Sequence, residues 1–153
     1  MRIYVVEDDP LKAESVSSFL HTLDINAKIE VYRSYISGLS AVQAAKPDLL
    51  IVDMALPTYD RSPAHRAGKL RPLGGYELLR KMQLHGISTP AIVVTMLESF
   101  GEGEEETSYE DMTRMCGLEF DELFLGSVYF QIGTSSWQTE LKTIFDKFRT
   151  DSK

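Results

Sequence analysis

Apolar and polar positions alternate along this chain in a repeating order of short dry runs and helical stripes. Ile3-Tyr4-Val5-Val6, Leu49-Leu50-Ile51-Val52 and Ala91-Ile92-Val93-Val94 are continuous apolar runs, the pattern of strands covered on both faces. Ala27 to Tyr32 is different: Ala27, Ile29 and Val31 alternate with Lys28 and Glu30, which predicts a strand at a sheet edge. Val128 to Ile132 is the fifth predicted strand, with Leu123-Phe124-Leu125 competing for the same place.

Between these runs the spacing is helical. Asp9 and Pro10 read as N-cap and first turn of a helix whose inner face is Leu11, Val16, Phe19, Leu20 and Leu23. Ser34 caps a helix with Ile36, Leu39 and Val42 inward, and a third helix from Gly75 or Tyr76 carries Leu78, Leu79 and Met82 to a stop near His85-Gly86. Thr107 with Glu110 suggests a capping box before Met112 and Met115, and Trp137, Leu141, Ile144, Phe145 and Phe148 form one stripe on the last helix. Two stretches break the pattern: a basic, Pro- and Gly-rich loop at 58–74, and a segment at 98–126 that begins Gly- and Glu-rich.

Five strand–helix alternations predict an α/β fold: a doubly wound, five-stranded parallel sheet with helices on both faces and strand order 2-1-3-4-5. A chain of 153 residues fits a single domain spanning 1–153, with the two loops as insertions. The hydrophobic content of 43% beside 25% charged residues is that of a globular protein. A net charge of −7 argues against direct binding to nucleic acid or to an anionic membrane. The single cysteine, Cys116, forms no internal disulfide, and with no apolar run long enough to span a bilayer the expectation is a cytoplasmic protein.

The chemistry follows from the strand order. Strands 1 and 3 are neighbours, so Glu7, Asp8 and Asp53 leave the same end of the sheet together, where open α/β sheets bind ligands. Carboxylates so close either protonate or gather round a cation, and Mg²⁺ suits an all-oxygen set of few carboxylates. Asp53, the central acid, is then the candidate to attack phosphorus and form an acyl phosphate, with the Thr95 hydroxyl on the adjacent strand against a phosphoryl oxygen. The plainer readings are an N-cap for Asp9, Asx-turns for the other acids and an ordinary β-branched strand residue for Thr95.

In Ile3–Pro10, Pro47–Pro57, Gly75–Leu79 and Pro90–Thr95 the chain resembles a response regulator receiver domain of two-component signalling, with its flavodoxin-like fold. The resemblance implies that Glu7 and Asp8 hold Mg²⁺ together with Asp53 and the backbone carbonyl of Ala55. It implies that Asp53 is the phosphoacceptor for a histidine kinase or phosphotransfer protein, that Thr95 is the switch hydroxyl, and that Tyr129 or Phe130 is the switch aromatic. A downstream protein, or a second copy of the chain, would then meet the face formed by helix 4, strand 5 and helix 5. Such a domain turns over no substrate beyond its own phosphorylation and dephosphorylation.

The chain departs from that pattern in three ways. Receivers carry a lysine after strand 5, and Gln131 to Ser136 contains none. Met96 stands where a small residue is usual, and both insertions lie near the active end. These departures support an alternative, a pseudo-receiver that binds or dimerises without phosphorylation. Arg61, His65, Arg66, Lys69 or Arg71 of the basic loop offers one replacement for the lysine; a solvated loop is the other reading.

Overall fold

The computed structural model describes residues 1–63 and 66–152. Five parallel strands form one sheet: β1 (Arg2–Val6), β2 (Lys28–Tyr32), β3 (Leu49–Val52), β4 (Ala91–Thr95) and β5 (Phe124–Tyr129), in the order β2-β1-β3-β4-β5. This is the strand order read from the sequence. Helices α2 (Tyr35–Ala45), α3 (Gly74–Leu84) and α4 (Tyr109–Glu119) bury Val42, Leu78, Met82 and Met112 against one face, with Tyr4, Val6, Leu50, Val52 and Val93 from the sheet. On the other face α1 (Pro10–Leu23) and α5 (Ser136–Asp151) cover Ile3, Val5, Ile51, Ile92 and Val94. Alternate residues of each central strand thus feed two separate cores, which is why those strands are apolar throughout.

Local chemistry sets the helix starts. The Asp9 carboxylate accepts from the Leu11 and Lys12 amides, and Pro10 occupies the first turn. Ser34 and Ser37 form a reciprocal capping box on α2. Helix α4 is capped by Ser108, one residue after the expected Thr107.

Several expectations from the pattern are corrected. In α1 the buried stripe is Lys12, Ala13, Val16 and Leu20, while Leu11 is 68% exposed. In α2 Tyr35, Gly38 and Val42 face inward and Ile36 faces solvent. Val31 on the edge strand β2 is also exposed. Strand β5 starts at Phe124 and ends at Tyr129, leaving Ile132 in solvent. A register shift opposite Ala91 and Ile92, next to Gly126 at φ 150°, breaks the regular alternation of β5.

The basic loop is more ordered than its composition suggests. Leu56–Pro57 pairs antiparallel with Leu70–Arg71, and the Tyr59 amide donates to the Ala67 carbonyl at 2.8 Å. Likewise Ser99–Phe100 pairs with Thr107–Ser108, which folds Phe100 into the core. Among the described residues no helix is long and apolar enough to cross a membrane.

Candidate functional site

Register builds the site. Val6 of β1 is opposite Val52 of β3, and the Asp53 amide donates to the Val6 carbonyl at 3.0 Å. Glu7 and Asp53 therefore leave the sheet side by side. Glu7, Asp8 and Asp53 each offer a carboxylate oxygen within 4.8 Å of the others. Glu7 and Asp53 are buried, at 4% and 9% exposure, whereas Asp8 is open to solvent.

The acids are held in place by local donors. Glu7 Oε2 accepts from the Asp9 amide at 3.0 Å, and Asp53 Oδ1 accepts from the Met54 amide at 2.7 Å. The Thr95 hydroxyl favours the ionised form of Asp53, and its oxygen accepts from the Leu97 amide at 3.3 Å. Helix α3 closes the site from below: the Gly75 amide donates to the Met54 carbonyl at 2.8 Å. A Cβ at Gly75 would lie 2.5 Å from the Asp53 carbonyl oxygen, so only glycine permits this approach.

One functional side chain was not expected: Lys12. It is 1% exposed, and its Nζ lies 2.5 Å from Glu7 Oε1 and 3.3 Å from Asp53 Oδ2 while donating to the Val94 carbonyl at 2.7 Å. A helical reading of α1 contains the signal, because Lys12, Val16 and Leu20 lie at i, i+4 and i+8 on one stripe.

The described basic residues of the 58–74 segment do not take this place. Arg71 lies over the Tyr35 ring, 4.4 Å from its centroid, and pairs with Glu77 at 3.2 Å. Arg61, Arg66 and Lys69 are exposed, and His65 lies outside the described residues.

Burial and the nearby Asp53 charge push the Glu7 carboxyl up to about 8, against the pull of Lys12 and the Asp9 amide. Burial also raises Asp53, opposed by Lys12, the Met54 amide and the Thr95 hydroxyl. With all three carboxylates ionised, as a bound cation would leave them, and one ammonium, the pocket would carry two negative charges. That balance, with oxygen-only donors, fits a hard divalent cation.

The two aromatic candidates part company. Tyr129 pairs in register with Thr95, packs edge-on against Tyr109 at 5.9 Å and donates to Glu98 Oε1 at 3.4 Å. Phe130 is buried on the opposite face, 4.7 Å from the Trp137 ring. Ala55 follows Asp53 by two residues and packs half-buried at the edge of the first core.

Known proteins resemble this arrangement. A family model described as "Response regulator receiver domain" matches residues 3–107. An uncharacterized protein, y4jR, of Sinorhizobium fredii (strain NBRC 101917 / NGR234) is 28% identical over 145 residues, covering 93% of this chain and 95% of its own. The Detocs response regulatory protein DtcB of Enterobacter cloacae (strain JD6301) is 27% identical over 143 residues, covering 92% and 95%. Among solved structures, a response regulator receiver protein from Pseudoalteromonas atlantica superposes with a TM-score of 0.65 at 15% identity, covering 100% of both chains.

Proposed function

The chain belongs to the response regulator receiver domain family, and from that premise we propose that it works as a phosphorylation-driven signalling module with Asp53 as phosphoacceptor. The donor is the phosphohistidine of a histidine kinase or phosphotransfer protein. An Asp53 carboxylate oxygen forms a bond to phosphorus as the phosphorus–nitrogen bond breaks, and the histidine leaves with the electron pair. Glu7, Asp8, Asp53 and the Ala55 carbonyl are the residues to hold Mg²⁺, which supplies charge neutralisation for the transferring phosphoryl group.

The observation that carries this reading is the grouping of three carboxylates around a buried Asp53 at the carboxyl end of the central strand. Of the three departures that favour a phosphorylation-independent module, Lys12 offsets the missing lysine by putting an ammonium beside Asp53. Kinship with DtcB, named as a response regulatory protein, agrees with a signalling role.

The response leaves the site through Thr95, whose hydroxyl favours the ionised Asp53 and bonds the loop that follows β4. Glu98 in that loop bonds Tyr129, and its carbonyl accepts from the Tyr109 amide at the start of α4. Tyr129 is accordingly our choice for the switch aromatic over Phe130, which is locked in the α1–α5 core. The α4–β5–α5 face is then the surface offered to a downstream protein or a second copy, with the whole chain acting as one cytoplasmic domain. Calorimetric titration with beryllofluoride tests the reading: binding is expected only with Mg²⁺ and is abolished by Asp53→Asn, and binding indifferent to either would refute it.

A further inference from the structure

We propose that Lys12 is the phosphoryl-binding cation of this domain, supplied from the first turn of α1 instead of from the end of β5. The inference rests on the phosphoacceptor reading of Asp53. With Glu7, Asp8 and Asp53 ionised the pocket holds three negative charges before Lys12 is counted, a divalent cation offsets two of them, and a phosphoryl group on Asp53 adds more. A further compact cation is required. Among the described residues, Lys12 is the one basic side chain that contacts Glu7 or Asp53.

The geometry suits a transfer of partners. Nζ is bonded closely to Glu7 Oε1 at 2.5 Å, and stands off from Asp53 Oδ2 at 3.3 Å. The Val94 carbonyl, 2.7 Å away, tethers the ammonium at the end of β4 without using its charge. An ammonium has three donors, so two remain to turn from the carboxylates to phosphoryl oxygens. Glu7 is thereby released toward the metal.

Lysine fits this position better than arginine, since a flexible stem carries a compact charge to a buried pocket. The stem fills the stripe below Val16 and Leu20, where α1 packs on the sheet. The site that closes on the phosphoryl group therefore includes α1. Phosphorylation then pulls on α1 and on the end of β4 together, not on β5 alone.

The test compares wild type, Lys12→Met and Lys12→Gln, measuring Mg²⁺ affinity and then beryllofluoride affinity at saturating Mg²⁺. We expect beryllofluoride affinity to fall roughly 10- to 100-fold in both variants, while Mg²⁺ affinity is unchanged or higher. A lysine that only fills space would move neither value in that divergent way. Lys12→Gln keeps a donor for the Val94 carbonyl and carries the measurement if Lys12→Met does not fold. In wild type, the ¹⁵N resonance of the Lys12 ammonium should shift on beryllofluoride binding. Equal beryllofluoride affinity in a folded variant, or an unmoved ammonium resonance, overturns the inference and leaves Asp53 as acceptor. A wild-type domain that binds no beryllofluoride overturns both.

Discussion

Lys12 Nζ and Glu7 Oε1 meet at 2.5 Å, with the two residues 1% and 4% exposed. A pair so deeply buried contributes little net stability over an apolar substitute, yet removing one partner strands the other charge. Lys12→Met should destabilise the metal-free domain, by less than the about 3 kcal/mol of a fully orphaned buried charge, because the Glu7 carboxyl can take up a proton instead. Adding Glu7→Gln should return part of that loss, which a double-mutant cycle by urea unfolding reads directly.

Stability should fall as pH rises in the absence of metal. The Glu7 carboxyl is raised in the folded state from 4.5 to about 8, and Asp53 is raised as well. Between those pH values the native state holds a proton that the unfolded chain has lost. That stabilisation is complete below the unfolded value and disappears as pH climbs through the folded one. The urea midpoint should therefore be higher near about pH 6 than near about pH 8. Glu7→Gln should flatten most of the difference. Mg²⁺ competes with the same proton, so its affinity should increase over this window and saturating Mg²⁺ should shrink the midpoint gap.

Gly75→Ala should damage site and fold together. The new methyl would lie 2.5 Å from the Asp53 carbonyl oxygen and 3.1 Å from Met54 Cα, so α3 or the end of β3 must move. A cost of about 1–3 kcal/mol is expected for such overpacking. Because the displaced backbone carries Asp53, Mg²⁺ affinity should weaken too. Unfolding and metal titration on one sample separate the two effects.

Thr95→Val keeps the shape and removes the hydroxyl that accepts from the Leu97 amide and favours the ionised Asp53. A loss of about 1 kcal/mol is expected from the broken hydrogen bonds. The more telling result is in hydrogen exchange. Beryllofluoride should slow the amides of Leu97 to Phe100 in wild type and leave them unchanged in Thr95→Val.

Much of this was legible from residue order. Ile3–Val6, Leu49–Val52 and Ala91–Val94 are buried on both faces and could hardly be anything but central strands, and their order places Glu7, Asp8 and Asp53 together. Asp9 and Ser34 act as caps because short polar side chains before a helix have amides to satisfy. Lys12 escaped because hydropathy counts lysine as outward, and Leu11 beside it as inward. The first turn of α1 inverts that rule: two carboxylates make the inside the favourable place for an ammonium, and Leu11 is turned to solvent. Strand β5 blurred because Gly126 and a register shift interrupt its alternation. The pairing of Leu56–Pro57 with Leu70–Arg71 joins two-residue strands too short to leave a period.

The most direct test of the central claim is incubation of the domain with acetyl phosphate and Mg²⁺, followed by intact mass and peptide mapping. One phosphoryl group is expected, located on Asp53, dependent on Mg²⁺ and missing from Asp53→Asn. A wild-type chain that takes up no phosphoryl group, or an Asp53→Asn chain that takes up as much as wild type, would contradict it.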